Sequence, residues 1–150
     1  MPEQITYWCF YYMHWSWEKT RNTDVLTSYI QISHGSSLEI VISRTIVDFG
    51  IPPHVRGYQY IREALMLLLE DENKLFGITK DLYPVIARKY LTTPARVERA
   101  IRHAIEISWD GHSKYSLRSY FTDSSTRPTN SCFLEFLQKS ICYVICENDG

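Results

Sequence analysis

The side chains best suited to chemistry in this sequence lie between Thr92 and Glu106, where charged residues recur at helical spacing. On a helical wheel, one polar sector of this segment contains Ala95, Glu98, Arg99, Arg102 and Glu106. Arginine can donate two parallel hydrogen bonds to guanine O6 and N7, and glutamate can accept one from the cytosine amino group. A sector with a glutamate beside two arginines is therefore equipped to recognise G·C pairs in the major groove of DNA.

Four residues around this sector are suited to contact the DNA backbone. Arg96 and His103 flank the sector, and Thr92 and Thr93 precede it. Contacts from such side chains to phosphates fix the register of a protein on DNA without specifying sequence. We therefore interpret Thr92, Thr93, Arg96 and His103 as candidate backbone contacts.

The same charges also suit an ordinary solvent-exposed helix. Glu98 and Arg102 form an i,i+4 pair, as do Arg102 and Glu106, and such pairs stabilise surface helices. Spacing alone does not distinguish a recognition helix from a solvated one.

The helix that carries these residues has clear boundary signals. Thr93 is a typical N-cap, Pro94 suits the first helical position, and Gly111 suits the end of a helix. The apolar stripe opposite the charged sector consists of Val97, Ala100, Ile101, Ala104, Ile105 and Ser108. The sequence therefore predicts an amphipathic helix over about 94–110.

A shorter helix precedes it. We predict that Thr79 caps this helix, that Pro84 lies near its first turn, and that it ends at about Tyr90. Its predicted buried side consists of Leu82, Val85, Ile86 and Tyr90. Two short helices joined by a turn such as Leu91–Thr93 are typical of a helix-turn-helix, whose second helix enters the major groove.

Two helices are predicted before this pair. The first begins at a capping box formed by Ser36 and Glu39 and ends at Gly50, and the second covers Gly57–Glu70. Their predicted inward-facing residues are Ile40, Ile42, Ile46 and Phe49 in the first and Ile61, Leu65, Leu68 and Leu69 in the second.

Two more helices follow the pair. A short helix is predicted over Lys114–Phe121, and a longer last helix is capped by Thr129 or Asn130. The last helix turns Phe133, Phe136, Leu137, Ile141 and Val144 toward the core. The predicted fold class is all-α, a compact six-helix domain that contains a helix-turn-helix.

The chain length and the distribution of charge fit a single domain whose central residues are basic. The chain has 150 residues and a formal net charge of −1. Residues 80–118 contain eight Lys or Arg and four Asp or Glu, a local net charge of +4, whereas residues 39–74 and 119–150 each carry −2. A DNA footprint is a local basic surface, so this distribution favours the middle of the chain as the binding region.

The first part of the chain differs from the rest. Residues 1–37 form an aromatic-rich segment, with seven aromatic residues between Tyr7 and Trp17, and residues 38–150 form the predicted helix-turn-helix domain. The uncharged run Ile5–Trp17 is too short to span a bilayer and lacks the features of a signal peptide, so we expect a cytoplasmic protein. The aromatic-rich segment is compatible with three roles: a poorly ordered leader, an extra layer packed on the domain, or a docking patch for a partner.

The sequence lacks the residues that catalysis or metal binding would need. The four cysteines, at positions 9, 132, 142 and 146, form no CxxC pair and suggest reduced thiols. His103 and Glu106 lie on one helix without a third ligand or a nucleophile, and no Gly-rich phosphate loop is present. We therefore expect neither an enzyme nor a bound cofactor or metal.

Four segments resemble one protein family. The run TTPARVERAIRHAIE, residues 92–106, resembles the recognition segment of the C-terminal effector domain of the master sporulation response regulator of endospore-forming bacteria. Residues 78–89, including their proline, resemble the preceding helix of that domain, and residues 50–64 resemble its first inter-helix link. Residues 127–131 resemble the start of its last helix, so the resemblance spans about 38–140.

The resemblance implies a six-helix, sequence-specific DNA-binding transcription regulator. Family members bind double-stranded DNA at short boxes with a TGTCGAA-like core, and tandem copies dock as a dimer on the DNA. Glu98, Arg99 and Arg102 match the family positions that contact bases, and His103 matches a position that contacts the backbone. These assignments agree with the helical wheel.

Three departures from the family bear on regulation. Only 37 residues precede the effector domain here, too few for a phosphorylation receiver, and Asp24, the only aspartate among them, has no acidic partner cluster to hold a magnesium ion. The segment between Trp109 and Pro128, which the family uses to contact RNA polymerase sigma factor, is shorter and differently composed, which argues against that contact. Ala95 replaces a serine, which should weaken a phosphate contact.

One alternative function stays open on the sequence. The chain suits a helical interaction module that pairs with a full-length regulator and antagonises it, with little DNA affinity of its own. A gel shift at low salt and capture of such a partner would distinguish the two functions.

Overall fold

The structure is a computed structural model that describes residues 37–70, 77–111, 117–121 and 126–148. Across these ranges the regular elements are all helical, which confirms the all-α fold class. The α-helices are α1, Ser37–Asp48; α2, Arg56–Glu70; α3, Tyr83–Lys89; α4, Pro94–Asp110; α5, Leu117–Tyr120; and α6, Asn130–Asn148. The aromatic-rich segment and the predicted cap Ser36 lie outside the described residues. Within those residues no helix is long and apolar enough to cross a membrane.

Local signals set the ends of several helices as predicted. The Oγ1 atom of Thr93 accepts a hydrogen bond from the Arg96 backbone N–H at 3.3 Å, and Pro94 is the first residue of α4. Gly50 follows α1 with a φ of 86°, a left-handed conformation that glycine adopts at little cost. Of the two candidate caps for α6, Thr129 is the one that accepts from the Cys132 N–H, at 3.2 Å.

Helix α4 lies at the centre of the core and packs against α2, α3 and α6. Its predicted stripe is buried except for Ala100, which is half-buried. The one hydroxyl of the stripe, on Ser108, donates to the carbonyl oxygen of Phe49, so its burial leaves no unpaired polar atom. Buried residues of the other helices surround the stripe, among them Ile42, Ile61, Leu65, Ile86, Phe133 and Leu137.

The predicted cap and start of the third helix are wrong. Residues Ile78–Leu82 form a π-helical turn after Gly77, and Thr79 lies inside this turn instead of capping a helix. The Tyr83 N–H donates to the carbonyl of Ile78, five residues earlier. A regular α-helix from Thr79 would require an N–H that Pro84 lacks, and its ring would crowd the carbonyl four residues before it. The wider turn absorbs this conflict and leaves Pro84 in the first turn of α3.

Two predicted core positions are exposed. Ile40 is 37% exposed while its neighbour Val41 is buried, and Val85 is 36% exposed. The π-helical turn adds a residue to the helical period before α3, which shifts the buried side of α3 to Tyr83, Ile86 and Ala87.

Several other predicted positions differ in degree. Leu69 and Tyr90 are only half-buried against the core. The short helix α5 ends before Phe121, and the predicted start at Lys114 lies outside the described residues. The side chain of Val144 is also outside the described set.

The turn between α3 and α4 places a leucine in a conformation that normally requires glycine. The Thr92 N–H donates to the carbonyl of Ala87 and the Leu91 N–H donates to the carbonyl of Arg88, the two bonds of a Schellman C-cap. Leu91 occupies the glycine position of this motif, with a φ of 51°, and it is 95% exposed. Its side chain therefore adds strain without burying apolar surface.

Replacing Leu91 with glycine is expected to stabilise the fold. A left-handed conformation costs a residue with a Cβ atom roughly 1–2 kcal/mol, and part of the gain is offset by the larger entropy of glycine in the unfolded chain. We expect an increase of about 0.5–1 kcal/mol in the free energy of unfolding, measured by urea denaturation. Leu91→Ala is the control, because it removes the exposed side chain but keeps the Cβ atom. Equal gains from the two variants would show that backbone strain is not the cause.

Candidate DNA interface

The charged sector of α4 faces away from the core. Glu98 and Arg99 are exposed, and Arg102 at the sector's edge is half-buried. The side chains of Glu98 and Arg99 make no hydrogen bond or ion pair with any residue in the described ranges. Within the described part of the chain, these two groups are therefore available to a ligand without breaking a contact.

Three of the four predicted backbone contacts lie at the start of the same helix, and His103 lies farther along it. Thr93, Arg96 and His103 are exposed, and Thr92 is half-buried in the turn. The Thr93 oxygen accepts from a backbone N–H as the cap of α4, which leaves its hydroxyl proton able to donate. The cap and Arg96 lie at the positive end of the helix dipole, an arrangement that favours an anion.

Arg102 is held by a loop instead of by a carboxylate. Its Nη1 atom donates to the carbonyl oxygen of Pro128 at 2.6 Å. Neither of the i,i+4 pairs that would mark an ordinary surface helix, with Glu98 or with Glu106, forms among the described residues. A guanidinium carries five N–H donors, so this one bond leaves others for a second partner.

Glu106 is occupied by internal contacts. Its carboxylate lies 3.3 Å from Arg127 Nη1 and 3.8 Å from His103 Nδ1. Within the described residues, it is the one charged member of the predicted sector that has an ion-pair partner. The described residues contain no cluster of three or more His, Cys, Asp or Glu that could hold a metal ion.

Asn130 links three helices below the charged sector. Its Nδ2 atom donates to the Tyr83 hydroxyl at 3.0 Å and to the backbone carbonyl of Glu98 at 3.1 Å. Burial raises the pKa of the Tyr83 phenol and the Glu98 charge raises it further, against an opposing effect of the Asn130 hydrogen bond. The sequence marks Asn130 only as a cap candidate, because its partners are 32 and 47 residues away and no local pattern indicates them.

The raised pKa of Tyr83 predicts a loss of stability in alkali. The unfolded phenol ionises near its reference pKa of 10.0, while the folded one ionises at higher pH. The folded state therefore binds more protons between these two values, and stability that is present below pH 10 is lost as the pH rises through the folded pKa. The pKa of Lys89 is raised by its hydrogen bond to Glu63, which adds a loss in the same direction.

Comparison with Tyr83→Phe isolates this contribution. We expect the melting temperature of the parent to fall more steeply above pH 10 than that of the variant, because the variant has no phenol to ionise. Melting curves between pH 8 and about pH 11 would measure the difference. Parallel curves for the two proteins would contradict the assignment.

Comparison with known families yields one match that includes this whole surface. The family model described as "Sporulation initiation factor Spo0A C terminal" matches residues 42–141. The match begins within α1, contains α2 to α5, and ends within α6.

Proposed function

The chain belongs to the family of C-terminal domains of sporulation initiation factor Spo0A, a family of DNA-binding transcription-factor domains and not of enzymes, and from this premise we propose that it regulates transcription by binding a specific DNA sequence. In this proposal α3, the turn at residues 90–93 and α4 act as a helix-turn-helix within a six-helix domain. Helix α4 enters the major groove. Because its proposed partner is DNA, we expect the protein to act in the cytoplasm.

The observation that carries the proposal is the unpaired state of the exposed charges on α4. Glu98 and Arg99 have no internal partner in the described part of the chain, although an exposed helix commonly pairs such charges. Arg99 and Arg102 are suited to guanine O6 and N7, and Glu98 is suited to the cytosine amino group. These three residues are the proposed base contacts.

The proposed backbone contacts surround the base contacts. Thr93 and Arg96 lie at the start of α4, Thr92 lies in the preceding turn, and His103 lies one helical turn beyond Arg99. Hydroxyl and cationic groups at a helix N-terminus bind phosphates and so orient the helix in the groove.

The proposed target is a duplex with a TGTCGAA-like core, which follows from the family resemblance. Two copies on adjacent boxes would give the tandem arrangement of the family. Contact with RNA polymerase sigma factor is not part of the proposal, because the segment between α4 and α6 departs from the family there.

Fluorescence anisotropy with two duplexes of equal length tests the proposal. One duplex contains the TGTCGAA box and the other contains a scrambled box of the same composition. We expect tighter binding to the box, and we expect both affinities to weaken with salt because phosphate contacts release counterions. Equal affinity for the two duplexes would refute sequence-specific binding. Absence of binding at low salt, together with capture of a full-length regulator, would favour an interaction module.

A further inference from the structure

The segment Arg127–Asn130, which leads into α6, contacts α4 at three points along the charged sector. Arg127 pairs with Glu106, the carbonyl of Pro128 accepts from Arg102, and Asn130 donates to the backbone carbonyl of Glu98. We call these four residues the tether segment. Two of its three contacts involve proposed base-contacting residues, so the segment supports the part of α4 that would meet DNA.

We propose that Asn130 and the Pro128 carbonyl position the base-contacting residues of α4 and so determine sequence specificity without contacting DNA themselves. The inference rests on the proposed function. Asn130 is a positioning residue that acts through Glu98, and the Pro128 carbonyl acts through Arg102.

The two contacts converge on one turn of α4. The carbonyl of Glu98 is the acceptor that the backbone N–H of Arg102 uses in a regular α-helix, four residues later. Asn130 therefore shares this acceptor with the backbone of Arg102, while Pro128 binds the Arg102 guanidinium. An arginine whose guanidinium is anchored to a backbone carbonyl keeps the plane of that group fixed, and recognition of guanine by two parallel bonds depends on that plane.

A third contact joins this turn to the helix that precedes it. The same Asn130 amide donates to Tyr83, whose ring is buried in α3. The Asn130 side chain therefore connects the start of α6 with α4, at Glu98, and with the start of α3, at Tyr83. This arrangement fixes α4 relative to α3, the helix that would lie across the DNA backbone.

One polar atom of Asn130 has no partner in this arrangement. The Oδ1 atom of Asn130 is buried and accepts no hydrogen bond within the described residues. A buried acceptor without a partner lowers the stability that the two donated bonds provide. The net stability from Asn130 is therefore smaller than its two donated bonds alone would suggest.

The test compares Asn130→Asp with Thr129→Ala on the same two duplexes, box and scrambled. Asn130→Asp keeps the size of the side chain and places a carboxylate in the first turn of α6, where the helix dipole favours it, but it removes the donor to Glu98. Thr129→Ala removes the cap of α6 and touches neither Glu98 nor Arg102. The measured quantities are the ratio of the two dissociation constants, the salt dependence and the melting temperature.

If Asn130 positions the base-contacting residues, the two variants should differ in their effect on the ratio. We expect Asn130→Asp to lower the ratio of scrambled to box dissociation constants by roughly tenfold, the size of one lost base contact. The added charge weakens binding to both duplexes and changes their salt dependence alike, so the ratio reports specificity. Thr129→Ala is expected to lower the melting temperature and leave the ratio at the parent value.

Each other outcome has a defined meaning. If the parent distinguishes the duplexes and Asn130→Asp distinguishes them equally well, positioning by Asn130 is refuted and the proposed function stands. If Thr129→Ala lowers the ratio as much as Asn130→Asp does, the effect is one of stability and the inference is again refuted. If the parent binds both duplexes equally, the proposed function is refuted and this inference with it. Should Asn130→Asp fail to fold, Asn130→Ala removes the same donor and is held to the same expected ratio.

Discussion

Replacing Gly57 with alanine is expected to lower the free energy of unfolding by about 2 kcal/mol, although alanine is the better helix former. Gly57 is buried in α2 where that helix crosses α4. A Cβ atom at this position would lie 2.6 Å from the Cβ of Ala104 and would collide with the carbonyl oxygen of Ala100. Overpacking costs about 1–3 kcal/mol, and this clash lies at the upper end, about 3 kcal/mol, because a backbone oxygen cannot rotate away. The clash therefore outweighs the gain of about 1 kcal/mol from helix propensity.

Gly77→Ala provides the matched control for this prediction. A Cβ atom at Gly77 would also meet a close neighbour, but that neighbour is the carboxylate of Asp81, which is exposed and can rotate. We expect a change within about 0.5 kcal/mol there. Urea denaturation of both variants measures the contrast. Similar losses in both would mean that the crossing of α2 and α4 is not as close as the structure has it.

The boundaries of α4 could be predicted because the signals that set them are local. Thr93 and Pro94 start the helix through contacts within one turn, and the helix ends at Asp110, before Gly111. The stripe from Val97 to Ser108 was predictable for the same reason, since a constant helical period places the same side inward along the whole helix.

The start of α3 could not be predicted in the same way. Periodicity assumes a constant period, and the π-helical turn before Pro84 breaks it. The shift puts Val85 outside and Tyr83 inside, which reverses one predicted position and adds another to the core. Pro84 itself was visible in the sequence, but the π-helical turn that accommodates it was not.

The support of the charged sector was hidden for a further reason. Composition and the helical wheel identify which side chains of α4 face outward, and the structure places Glu98 and Arg99 there. Neither method indicates that Arg102 is bound by Pro128 or that Glu106 is paired with Arg127, because both contacts come from a segment more than 20 residues later. Such contacts are set by how α6 packs on α4, which no local pattern contains.

This difference between the two arginines makes Arg99 the cleaner probe of base recognition. Removing Arg102 would also break its bond to Pro128, so its loss would mix a change of fold with a change of binding. Arg99 is exposed and has no partner within the described residues. A loss of preference for the box in Arg99→Ala therefore reports a contact of Arg99 with DNA and not a lost contact within the described residues.

Under the proposed function, Arg99→Ala is expected to weaken binding to the TGTCGAA duplex by about 1–3 kcal/mol, roughly 5–150-fold, and to relax the preference at one base pair. Arg96→Ala is the matched control, because it removes the same side chain from the same exposed surface three residues earlier. As a phosphate contact, Arg96 should contribute about equally to box and scrambled duplexes, and its loss should lower the salt slope by about 1. Anisotropy titrations at three salt concentrations, with both duplexes and single-base variants of the box, measure all of these quantities. If Arg99→Ala weakens both duplexes in parallel, as expected for Arg96→Ala, then Arg99 contacts the backbone and the proposed groove-facing sector of α4 is wrong.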